Sequence, residues 1–190
     1  MKIHDSGMPE VELWESFFNQ ELILSKLQLT PDMKDMAEFG CGYGTFTIPA
    51  ARIVRGTVYA LDIEQEMLDI TNAYARKENL SNVKCILTDF ISIGSGLPDD
   101  SVDYAMVFNI LHAEKPVDLL KEAYRIVKIG GTLGIIHWNY DSTTPRGPAM
   151  HIRPKPDQCR LWAEQAGFTL SIDEIVDLPP YHYGMTLVKN

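Results

Sequence analysis

The stretch Met36-Ala37-Glu38-Phe39-Gly40-Cys41-Gly42-Tyr43-Gly44-Thr45 decides the fold of this chain. Its first four residues read as a short strand that runs straight into three glycines at every second position. Those glycines remove the Cβ atoms that would hold a ligand away from the backbone. A helix follows through Ala50 to Val54, with Pro49 tolerable only in its first turn. The N-terminus of that helix points at whatever the loop holds and favours a carboxylate or phosphate there. Thr57 to Leu61 forms the next strand and ends at Asp62, eighteen residues beyond Gly44. An acid so placed accepts hydrogen bonds from both hydroxyls of a ribose. A tight turn without a ligand would need the glycines but not Asp62.

Outward from this centre, strands and helices alternate. Gln65 to Lys77 is helical, with Met67, Leu68, Ile70 and Tyr74 on one side, and Val83 to Leu87 is a third strand ending at Thr88-Asp89. The nearly all-apolar run Val102 to Phe108 is a fourth strand, buried on both faces. Pro116 opens a helix through Val127, Gly130-Gly131 closes it, and Leu133 to Trp138 is the fifth strand. A proline-rich loop, with Pro145, Pro148, Pro154 and Pro156, leads to a helix over 157–166 capped by Gly167. Two final strands, 168–176 and 183–188, are joined at Pro179-Pro180 and should be antiparallel. Before the core, residues 10–29 carry Leu13, Trp14, Phe17, Phe18, Leu22, Ile23 and Leu27 at helical spacing. The expectation is a doubly wound α/β fold: a mostly parallel, seven-stranded, Rossmann-like sheet with an antiparallel C-terminal strand and N-terminal helices. One domain covers 1–190, with 1–33 as a helical lid and 34–190 as the ligand-binding core.

Composition narrows the partners. The 190 residues are 45% hydrophobic, too apolar for a disordered chain and long enough to bury a core without staples. Seventeen basic against 26 acidic residues give a net charge of −9, a field that repels nucleic acid and anionic membrane at long range. No apolar run approaches the roughly 20 residues of a membrane span, and the N-terminus lacks a signal-peptide layout. A cytoplasmic, soluble protein is expected. Cys41, Cys85 and Cys159 fit neither a disulfide framework nor a zinc site, and the five histidines show no metal-ligand spacing. No metal is expected.

The ligand class turns on glycine spacing. A dinucleotide site wants G-x-G-x-x-G, and here Thr45 stands where the third glycine would be. With that spacing, the chain resembles the class I S-adenosylmethionine-dependent methyltransferases over essentially residues 35–190. The resemblance rests on EFGCGYG, on ALD ending in Asp62, on TDF at Thr88 to Phe90, on VDYAMVFNILH and on IVKIGGTLGI. The nearest flavour is the small-molecule group containing enzymes of the ubiquinone and menaquinone biosynthesis type. A nicotinamide-dependent oxidoreductase and a non-catalytic S-adenosylmethionine-binding protein are the alternatives.

The resemblance implies S-adenosylmethionine as cofactor and assigns residues to it. Glu38 and the backbone of Gly40, Cys41, Gly42 and Gly44 would hold the methionine moiety. Asp62 would take the ribose, Ile63 would pack on the adenine, and Asp89 would accept from the adenine amino group beside Phe90, with Asn109 near the sulfur. Asp89 has a plainer alternative as a turn cap, and Ile63 and Phe90 as core. Methyl transfer is an in-line displacement in which the protein supplies position and a dry site, with a base only where the nucleophile keeps its proton. His112 after the fourth strand, and His137 and Tyr140 at the end of the fifth, are the catalytic candidates. The [N/D]-P-P-[Y/F] sequence of enzymes that methylate nucleic-acid bases is absent, since Ile110-Leu111 follow Asn109. Arg146 and Arg153 sit with His151 and Lys155 in a basic loop, with Trp138 nearby; either arginine would receive a carboxylate or phosphate of a small-molecule substrate, the plainer alternative being a solvated loop whose basic residues balance nearby acids. Trp14, Phe17 and Phe18 either line the pocket or belong to the core. The N-terminal helices and the 139–156 loop would form the lid, with a homodimer as one way to complete it.

Overall fold

The computed structural model describes residues 8–171 and 175–190. The first seven residues of the expected lid, and residues 172–174 within the expected 168–176 strand, lie outside the described residues.

Two short helices, α1 (Val11–Glu15) and α2 (Gln20–Lys26), precede the sheet. The chain then alternates through β1 (Met36–Phe39), α3 (Thr47–Ile53), β2 (Val58–Asp62), α4 (Gln65–Lys77), β3 (Val83–Leu87) and β4 (Val102–Phe108). It continues through α5 (Pro116–Ile126), β5 (Val127–Trp138), α6 (Pro156–Ala166), β6 (Thr169–Leu170), β7 (Val176–Leu178) and β8 (His182–Val188). Pro49 falls in the first turn of α3, where its missing N–H costs nothing.

The strand order is β3-β2-β1-β4-β5-β8-β6, with β7 also on β8. The first five run parallel, and β8 runs antiparallel to β5. Because β5 occupies one edge of β8, β6 and β7 follow each other along its other edge. There are thus eight strands in seven positions, against the seven expected. Gly130-Gly131 do not separate α5 from β5 as expected. Val127 already pairs with Val102, and a register shift before Tyr104 absorbs the glycines inside one long strand.

Alternation along the strands sorts the core. Ala105 and Val107 face α5 and α6, together with Phe39, Ile135 and Leu187. Tyr104, Met106 and Phe108 face the other way, against α2, α3 and the aromatic pair Phe17 and Phe18. No described helix is long and apolar enough to cross a membrane.

Candidate functional site

The strand order reverses between β1 and β4, and in open α/β sheets ligands bind outside the carboxyl ends at such a point. Glu38, one residue from the end of β1, lies on the α3 side and is 2% exposed. Thr47, the first residue of α3, donates its hydroxyl to Glu38 Oε2. Burial pushes the Glu38 carboxyl up to about 8, against the Thr47 hydrogen bond and with a further contribution from Asp62. Glu38 therefore keeps its proton near neutrality.

Asp62 ends β2 and is buried. Its Oδ2 accepts the Gly42 amide at 2.9 Å, and its Oδ1 accepts the Glu64 amide at 3.0 Å. Each oxygen retains a lone pair for another donor. The amides of Gly40 and Cys41 both reach the Leu61 carbonyl, at 2.8 and 3.0 Å. Thr71 of α4 donates to the Gly42 carbonyl at 3.0 Å. At Gly44, with φ of +79°, a Cβ would lie 2.9 Å from that hydroxyl, so only glycine fits. At Gly42 an added Cβ would instead meet the Met8 methyl at 3.0 Å. Residues 8 and 9 thus cover the loop, and the Pro9 carbonyl accepts the Tyr43 hydroxyl at 2.9 Å. Sequence reasoning missed Thr47 and Thr71, which carry no local signal because only the folded chain brings them to the loop; residues 8 and 9 fall within the stretch expected as a lid.

Farther round, Asp89 Oδ1 accepts the amides of Ile91 and Ser92, at 3.3 and 3.0 Å, which is the turn-capping alternative. Phe90 is buried, edge-on to Phe39 at 5.4 Å, and Ile63 is half-buried beside Asp62. Asn109 adopts φ of +59°, its amide reaches the Ile136 carbonyl at 2.8 Å, and its buried Oδ1 has no partner among the described residues. His112 and His137 are brought together, edge to face at 5.6 Å between ring centroids. Burial holds the imidazolium of each down, and His112 adds to the effect on His137.

Three expectations change. Tyr140 is exposed, with Lys155 Nζ 4.7 Å over its ring, whereas the ring neighbours of His137 are His112 and Tyr183. Trp138 is a core side chain, 5.4 Å from Phe17 and 4.3 Å from His182 between ring centroids, so it belongs with Phe17 and Phe18 in the packing. Arg153, expected to receive a substrate anion, is 7% exposed and serves its own loop. It donates to the carbonyls of Pro148, Asn139, Asp141 and Arg146 and to the Thr144 hydroxyl. A fork so occupied holds the 139–148 loop in shape. Arg146 is half-buried, and its charge acts on the Tyr43 hydroxyl of the glycine loop.

These groups fit a cationic nucleoside. Two buried acids flank a glycine loop, and Asp62 retains acceptor capacity. The comparisons agree. The family profile described as "Methyltransferase domain" matches residues 37–135. The sterol 24-C-methyltransferase of Neurospora crassa is 29% identical over 140 residues, 67% of this chain and 36% of that protein. A demethylmenaquinone methyltransferase of a Geobacillus species is 35% identical over 94 residues, 48% of this chain and 39% of that one. The chain thus spans well under two thirds of these relatives. Among solved structures, a SAM-dependent methyltransferase from Aquifex aeolicus superposes with a TM-score of 0.80 at 25% identity, covering 92% of this chain and 91% of that one. With the site at the switch point and a family match over more than half its length, the chain belongs to the class I S-adenosylmethionine-dependent methyltransferases.

Proposed function

We propose that the protein methylates a small molecule, taking the methyl group from S-adenosylmethionine. The observation that carries this reading is the Gly42 amide clasped by Asp62 in front of the buried Glu38. When bound, the cofactor supplies an activated methyl group on a sulfonium. The chain's own residues do the rest. Glu38 and the 40–44 backbone would hold the amino acid end, with the Glu38 carboxyl giving up its proton to face a cation. Asp62 would accept the ribose hydroxyls with the lone pairs that Gly42 and Glu64 leave. Ile63, Phe90 and Asp89 would border the base, and Asn109 would sit beside the reacting end.

His112 and His137 stand where an acceptor would enter, and the low basicity of both makes them neutral partners rather than cations. Residues 8–33 and the 139–156 loop would shield the site from water, residues 8 and 9 already resting on the glycine loop. Calorimetry with S-adenosylhomocysteine is the first test, and binding is expected. Incubation with methyl-labelled cofactor and a metabolite extract, read by mass spectrometry, then identifies the acceptor. Absence of cofactor binding would overturn the reading.

A further inference from the structure

Asn109 Oδ1, His112 Nδ1 and both ring nitrogens of His137 are buried at the carboxyl ends of β4 and β5, with no hydrogen-bond partner among the described residues. Buried polar atoms in folded proteins are nearly always satisfied, and each exception asks what satisfies it. His137 is 0% exposed, packed between the edge of His112 and the face of Tyr183. The titratable groups acting on it are all bases, His112, His182 and Arg153, of which Arg153 alone is a cation near neutrality, and the Trp138 backbone acts in the opposite sense. The hydroxyl of Tyr183 donates away from it, to the Pro154 carbonyl at 3.0 Å, with the Cys159 thiol beside it at 3.3 Å.

A neutral imidazole offers one donor and one acceptor. Two such rings, 5.6 Å apart, suit a group that also does both. A carboxylate or phosphate only accepts, and the guanidinium of Arg153 is already spent on its loop. An ammonium only donates, and the one full charge acting on His137 near neutrality, the Arg153 guanidinium, repels it. A hydroxyl donates and accepts, and carries no charge into the interior.

We propose that Asn109, His112 and His137 form a subsite for a neutral hydroxyl group of the methyl acceptor. The proposal rests on the methyl-transfer reading and adds the chemical class of the acceptor. His112 takes the hydroxyl's hydrogen bond, and His137 donates to its oxygen.

The test uses protein loaded with S-adenosylhomocysteine and labelled with ¹⁵N in its imidazoles. Phenol, benzoate and benzylammonium are titrated in turn; they share a ring and differ in the charge of the polar group. Phenol is expected to shift the ring signals of both His112 and His137, and the two charged probes to leave them in place. His137→Phe should weaken phenol binding at least fivefold; because that core variant is the one at risk of misfolding, His112→Phe is measured beside it with the same expectation. Equal shifts with a charged probe, or no shift with any, would overturn the subsite. Failure of S-adenosylhomocysteine to bind counts against methyl transfer itself. The three probes are then run on the free protein, where the same shifts decide the subsite separately.

Discussion

Asp62 Oδ2 and the Gly42 amide meet at 2.9 Å, so the acid expected at a ribose also fixes the loop that borders it. The other oxygen fixes the start of α4 through Glu64 in the same way. One carboxylate at the tip of β2 therefore sets the spacing between the glycine loop and the next βα turn. Binding and loop geometry are coupled through a single side chain.

Asp62→Ala should accordingly do two things at once. It leaves two backbone amides without their acceptor, at a cost of about 1–3 kcal/mol in stability. It should also weaken S-adenosylhomocysteine binding by roughly tenfold or more, through the lost charge-assisted bonds. Thermal melts and calorimetry on the same variant read both. A variant that melts normally and binds normally would show that Asp62 is not part of the site.

Glu38 makes cofactor binding a proton-linked event. Its folded carboxyl is raised from 4.5 to about 8 by burial, so the cofactor-free fold loses stability as pH rises through that window, where only the unfolded chain has given up the proton. A cation against Glu38 favours its ionised form and reverses the shift. Calorimetry near pH 7 in two buffers of different ionisation enthalpy should reveal net proton release on binding. Glu38→Gln should abolish that release and flatten the loss of stability between pH 4.5 and 8. Identical enthalpies in the two buffers for the native chain would refute the linkage.

Much of the fold was legible because the sequence carries its period openly. The apolar run Val102–Phe108 had to be a buried strand, and Pro116 and Gly167 mark helix ends that the structure keeps at α5 and α6. Gly130-Gly131 misled because two glycines read as a break, whereas β4 and β5 continue pairing past them through a register shift. At the site, the glycine loop and Asp62 were legible because their chemistry is local to a strand end. Arg153 was not: its basic neighbours in sequence suggested an anion, and only the folded loop shows five acceptors turned inward on it. By spacing alone Gly42 makes room for a ligand, yet its missing Cβ faces Met8, which no spacing rule brings there.

Arg153→Lys tests the loop assignment. An ammonium cannot reproduce a planar fork spanning several carbonyls, so the 139–148 loop should loosen. Faster proteolytic nicking of that loop, with cofactor affinity unchanged, is the expected result. Once an acceptor is known, its KM should rise about tenfold or more with Arg153→Lys, through a disordered lid. A loop as resistant as that of the native chain would mean that the guanidinium bonds are dispensable.

His182 gives the fold an acid weakness of its own. Its ring is 0% exposed, stacked on Phe18 at 4.6 Å and against Trp138 at 4.3 Å, and neither nitrogen has a partner among the described residues. Burial drives its pKa from 6.5 down to about 3. Above pH 6.5 both folded and unfolded chains hold it neutral, and the group contributes nothing. As pH falls below 6.5, only the unfolded chain takes up the proton, so stability drops until about pH 3, where the folded ring charges too. Near pH 5, about one and a half units into that window, the loss is roughly 2 kcal/mol. His182→Phe keeps an aromatic ring among aromatic neighbours and removes both the proton and the unpartnered nitrogens. Denaturant midpoints should therefore rise more near pH 5 than near pH 8, by the equivalent of about 2 kcal/mol. His137, which shares the same sign, is left in place and continues to destabilise the variant in acid. An equal gain at both pH values would mean that His182 takes up a proton inside the fold as readily as outside it.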